Sequence, residues 1–229
     1  MAAYYTKQGL ALESREAQDY QDRLGERIAA RMDHVGSFRF IITMENPCQW
    51  KPQALATPFS LPGGYLIVPA PAILAAQSED ELAGALAHSM VHTVLGQMTE
   101  PRRPGMIPVT ETEDCSNGKL SIRWSPAARL SHEIQADSLA IKALSHSGFD
   151  PRAFLAYIER GADTESIRRA AEMRTAVARW PVANAVSSSG DFAQFQDVVR
   201  RAVETANAPP QPHALDDEPP ILRRPATTH

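Results

Sequence analysis

Cysteine is nearly absent from this chain. Cys48 and Cys115 are the only two in 229 residues. That count excludes a disulfide-dense scaffold and a metal site built from thiolates. The two stand in loop-like stretches, and the sequence leaves open whether they pair or stay free. An excess of positive charge is also missing. Lys and Arg total 23 against 27 Asp and Glu, for a net charge of -4. Basic residues form no cluster, so no nucleic-acid partner is expected. No apolar run is long enough to span a bilayer, so no transmembrane segment is expected. The first residues, MAAYYTKQGLALESREAQ, lack a basic stretch followed by an apolar one, so no signal peptide is expected.

What is present is an ordinary globular mix, 43% hydrophobic and 22% charged. Residues 1–207 read as a single domain. Residues 208–229 are rich in proline and charge and read as a disordered tail. Helical periodicity covers 10–33, where Leu12, Tyr20, Leu24, Ile28 and Met32 recur about every four residues. Strands are expected at 37–44, at 59–61 and from Tyr65 to Val68, around a Pro62-Gly63-Gly64 turn. Pro58, Pro62 and Pro69 point to an edge position in the sheet. A short helix follows at 71–77. Ser78 to Glu81 then reads as a capping box, opening a helix that runs to about Gly96. Residues 99–124 are irregular, with a possible short strand at 120–124. Further helices are expected from Pro126 to His146, from Pro151 to Gly161 and over 163–179, with a last one capped by Asp191 and ending near Asn207.

The third of these helices carries chemistry. His88 and His92 stand four apart, so their imidazoles project from one face and can reach one metal ion. An isolated H-x-x-x-H fits two satisfied core histidines equally well. A later helix supplies what such a site needs. Glu133 and Asp137 are also four apart, among the apolar neighbours Ile134, Leu139, Ile141 and Leu144. One carboxylate can bind a metal, and the other can fix the tautomer of a ligand histidine.

Three segments in order then resemble the gluzincin zinc metallopeptidases of the HtpX and CAAX prenyl protease type, peptidase family M forty-eight. They are Leu61-Pro62-Gly63-Gly64, the capped helix from Ser78 to His92, and Glu133-Ile134-Gln135-Ala136-Asp137. The resemblance spans roughly residues 15–160. It implies an α+β, mainly helical, zincin-like fold with a small edge-stranded sheet. It implies zinc held by His88, His92 and Glu133, with Asp137 behind a ligand histidine. It also implies a substrate strand at Gly64, Tyr65, Leu66 and Ile67 that pairs with an extended peptide or protein partner. This chain is similar to the soluble members, which are usually exported. That implies a periplasmic or exported protein whose leader is absent, the alternative being a cytoplasmic one.

The chain departs from the family where it matters most. The motif H-E-x-x-H has glutamate as general base, and here that position is Ser89. A serine hydroxyl is no base near neutral pH, and loss of a general base costs about 10²–10⁴-fold in rate. Metal binding does not need that glutamate. Gln135 replaces a second family acid. No S-T-H-P-like segment follows residue 160, and His213, Arg223 and Arg224 lie in the tail. No G-x-S-x-G elbow surrounds Ser89, which argues against a serine nucleophile. The expected protein is thus a metallopeptidase scaffold with its ligands kept and its base lost, a pseudopeptidase. One alternative is an active zinc endopeptidase that draws a surrogate base from Glu100, Glu111, Glu113 or Asp114. The other is a metal-free binding or structural module.

Overall fold

The computed structural model describes residues 11–32, 37–44, 57–61, 63–97, 126–180 and 189–207. Within them lie seven helices and three strands: α1 (Arg15–Ala29), β1 (Arg39–Thr43), β2 (Phe59–Leu61), β3 (Tyr65–Pro69), α2 (Ala70–Ala75), α3 (Glu79–Val94), α4 (Pro126–Ser147), α5 (Pro151–Glu159), α6 (Thr164–Arg179) and α7 (Ser189–Asn207). The architecture is mainly helical with one small sheet. The expected strand at 120–124, both cysteines and the tail fall outside the described residues.

The sheet order is β1-β3-β2. β3 runs parallel to β1, from Arg39 against Tyr65 to Thr43 against Pro69. It runs antiparallel to β2, from Phe59 against Ile67 to Leu61 against Tyr65. The edge position expected for Tyr65 to Val68 is therefore corrected: β3 is the central strand. Its main chain is already taken on both sides, so Gly64, Tyr65, Leu66 and Ile67 do not offer a free edge. The physical reason lies in the unbroken apolar run Leu66-Ile67-Val68, each residue fully buried. A strand covered on both faces reads as a continuous hydrophobic stretch, not as an alternation. At the other side of the sheet, the chain before α1 covers part of β1. Leu12 N–H donates to Ile42 O at 2.8 Å, and Ala11 bridges Thr43. That pairing is why α1 begins only at Arg15, where Ser14 Oγ accepts from Ala17 N–H at 3.3 Å. Among the described residues, the uncovered edge is β2.

α3 is the central helix, packed against α1, α4, α5 and β2. From Glu81 to Ala87 every residue is buried. A helix apolar on all sides belongs inside a protein, and burying a side chain such as Leu82 or Leu86 stabilises by about 1.5–3 kcal/mol. Ser78 caps its start, its Oγ accepting from Glu81 N–H at 3.2 Å. The second half of the expected capping box is not made. The Glu81 side chain turns to Arg160 instead, whose guanidinium grips it through both nitrogens. Asp80 Oδ1 accepts from Asp150 N–H at 3.0 Å. Both contacts tie α5 to the start of α3. At the other end of the chain, α7 already includes Ser189 and Gly190. Asp191 therefore sits in the first turn, where its charge favours the helix dipole, and is not the cap.

Candidate metal centre

Helical geometry delivers the first two side chains. His88 and His92 occupy successive turns of α3, and both Nε2 atoms point to one spot, 3.1 Å apart. Glu133 reaches that spot from α4. Its Oε2 lies 3.2 Å from His88 Nε2, and its Oε1 lies 3.7 Å from His92 Nε2. A tetrahedral zinc with bonds of 2.0–2.1 Å would hold its donor atoms about 3.3 Å apart. The observed separations bracket that value. His88, His92 and Glu133 thus form a group that could hold a metal ion, and two imidazoles with one carboxylate suit such an ion.

A second layer orients the first. Asp137 is fully buried, and its Oδ1 lies 2.8 Å from His88 Nδ1. This contact turns His88 Nε2 toward the centre. The structure thus brings His88, His92, Glu133 and Asp137 together. Two residues join them that sequence reasoning missed. Arg169, on α6, donates from Nε and Nη2 to the two Asp137 oxygens, each at 2.8 Å. Its Nη1 lies 3.3 Å from Glu133 Oε2. A signal for Arg169 existed: it lies one turn before Met173, on the stripe that α6 buries with Ala170. An arginine on an apolar stripe needs a buried partner. Gln97 is the other missed residue. Its Oε1 lies 2.9 Å from His92 Nδ1, and its Nε2 donates to Gln135 Oε1 at 2.9 Å. No sequence pattern marks it.

The charges shift one another in a consistent way. Burial alone would lower His88, but the Asp137 and Glu133 carboxylates outweigh it, so its pKa is raised. Burial and the neighbouring His88 charge push His92 down to about 4, which leaves it neutral. Burial opposes the charge of Glu133, yet His88 and Arg169 hold its carboxyl down at about 2. Asp137 is likewise held below its usual value against burial, by Arg169 and then His88.

Ser89 lies beside these groups and is buried. Its hydroxyl donates to the Pro58 carbonyl oxygen at 2.7 Å and lies 3.1 Å from the Ala85 carbonyl. With His88, His92, Glu133 and Arg169, Ser89 lines a cleft of about 240 Å³ between α3, α4, the start of β2, α5 and α6. Among the described residues that line it, Glu133 is the one carboxylate. Tyr157 also lines it, with a buried hydroxyl that has no hydrogen-bond partner among the described residues. Burial pushes that phenol up to about 12, so it stays protonated and can donate but not act as a base. Glu100, Glu111, Glu113 and Asp114 lie outside the described residues. Among the described residues, no helix is long and apolar enough to cross a membrane.

No protein-family model matches the chain, and no curated protein matches it.

Proposed function

We propose that this chain is a zinc-binding protein on a metallopeptidase-like, zincin-type scaffold, with little or no proteolytic activity. One observation carries the reading. Three donor groups from α3 and α4 converge at metal-binding separations, while the neighbouring position 89 holds a hydroxyl already donated to Pro58. The ordered resemblance of Leu61 to Gly64, Ser78 to His92 and Glu133 to Asp137 to gluzincin segments supports the scaffold.

In this reading His88, His92 and Glu133 hold the zinc, and Asp137 orients His88. The chemistry a bound zinc would supply is Lewis-acid polarisation of a carbonyl oxygen. The chain's own residues stop there. Ser89 takes no proton, because its hydroxyl is a donor and not a base. Tyr157 offers a neutral phenol. Peptide-bond cleavage needs a group that removes a proton and returns it to the leaving amine, and no described residue of the cleft does so. What remains is binding. An extended peptide or protein segment would lie along β2, whose outer edge is uncovered among the described residues and which borders the cleft.

A second reading has an observation of its own. Arg169 already pairs with Asp137 and approaches Glu133, and the raised pKa of His88 favours a second positive charge between the same two carboxylates, so both carboxylates have positive partners with no metal, as in a purely structural cluster. Two assays on the full chain separate the readings. Zinc titration is expected to find one site, and incubation with an unfolded protein substrate is expected to give no chelator-sensitive cleavage. Chelator-sensitive cleavage would refute the pseudopeptidase, and absence of a zinc site would favour the structural cluster.

A further inference from the structure

We propose that Gln97 and Gln135 form an amide relay that fixes the tautomer of His92 and presents its Nε2 lone pair to the centre. Gln97 is thus a positioning residue for the second histidine, as Asp137 is for the first. The inference rests on the metal-centre reading for its purpose, though the relay itself is a property of the metal-free protein.

The relay begins with how α3 ends. Leu95 is the last cap residue, and Gly96 takes a left-handed conformation, φ 64°. Gly96 N–H donates to Thr93 O at 3.1 Å, and Gln97 N–H donates to His92 O at 3.0 Å. This pair of bonds is the Schellman arrangement, and it reverses the chain at the left-handed residue. Gln97 is thereby carried back over the imidazole one turn behind it. Its side-chain oxygen then sits 2.9 Å from His92 Nδ1.

The sense of the hydrogen bonds follows from the Gln97 amide. Its nitrogen donates to Gln135 Oε1 at 2.9 Å, so its oxygen is the atom that faces His92 Nδ1, 2.9 Å away. An amide oxygen accepts and does not donate, so Nδ1 carries the His92 hydrogen. Nε2 then carries the lone pair, and it is Nε2 that stands 3.1 Å from His88 Nε2 and 3.7 Å from Glu133 Oε1.

The test uses the full chain labelled with ¹⁵N-histidine and freed of metal. Long-range ¹H–¹⁵N spectra report which ring nitrogen of His92 carries hydrogen. The wild type is expected to show the Nδ1–H form. Gln97→Leu removes the acceptor and is expected to give a mixture of tautomers, with zinc affinity lower by roughly 10–100-fold. Gln97→Glu keeps an acceptor and is expected to retain the Nδ1–H form and at least wild-type zinc affinity. Thermal unfolding of each variant shows that it is folded. A His92 with hydrogen on Nε2 in the wild type would overturn the relay, as would a Gln97→Leu variant with an unchanged tautomer. If the tautomer behaves as expected while neither protein binds zinc, the relay stands and the metal reading falls.

Discussion

The Ser89 hydroxyl and the Pro58 carbonyl oxygen are 2.7 Å apart, joining the core helix α3 to the segment that leads into the edge strand β2. In the metallopeptidase-like reading proposed above, position 89 is where a general base would stand. Here it is a fastening, and the main chain of residue 58 lies where a longer side chain would have to go.

That contact predicts how position 89 responds to change. Ser89→Ala should destabilise the protein by about 1–3 kcal/mol, because a buried acceptor loses its donor. Ser89→Glu should cost more, since its carboxylate would meet the Pro58 carbonyl in a site with 2% exposure. It should also gain no peptidase activity. Urea unfolding and a peptide-cleavage assay check both. Unchanged stability in Ser89→Ala, or cleavage by Ser89→Glu, would contradict the account.

Arg169 should behave as a built-in counter-charge. Its side chain is 13% exposed and Asp137 is 0% exposed. Arg169→Met leaves the buried Asp137 and the half-buried Glu133 with less compensation, and breaking a buried pair such as Arg169–Asp137 costs about 3–5 kcal/mol. Zinc should restore part of that loss, so the rise in melting temperature on adding zinc should be larger in Arg169→Met than in wild type. An equal rise in both would mean that Arg169 and the metal do not share these carboxylates.

The distance between α3 and α5 should be sensitive to a single methyl group. A Cβ at Gly84 would stand 2.3 Å from Phe154 Cβ, close to the α5 main chain. Phe154 in turn lies 6.0 Å from His88, centroid to centroid. Gly84→Ala should therefore destabilise by about 1–3 kcal/mol through overpacking and weaken zinc binding as α5 shifts. Thermal unfolding and zinc titration give the two readouts, and a stabilised Gly84→Ala would contradict this packing.

Zinc binding should also stabilise the wild type by mass action. Free zinc at about 100 times its dissociation constant adds about 2.7 kcal/mol. A scan with zinc should show a higher midpoint than one with chelator, and His92→Ala should abolish the difference.

Some of this was legible in the sequence because it is local. Ser78 before a run of acids and apolar residues marks the start of α3, and histidines four apart must share a face. The same rule places Glu133 with Asp137. What the sequence hid depends on contacts between distant segments. Glu81 had the spacing of a capping box, but Arg160, 79 residues later, took its carboxylate. Tyr65 to Val68 carried prolines at its borders, which misled, while its unbroken apolar run was the better guide to a central strand. Arg169 meets Asp137 across 32 residues and two helices. Gln97 reaches His92 only because Gly96 turns the chain left-handed.

The central claim is that His88, His92 and Glu133 hold a metal. Its most direct test is the metal content of full-length protein purified without an affinity tag or chelator. The account predicts close to one zinc per chain, lost in His88→Ala. Protein that contains no metal, and takes up none when incubated with zinc, would contradict it.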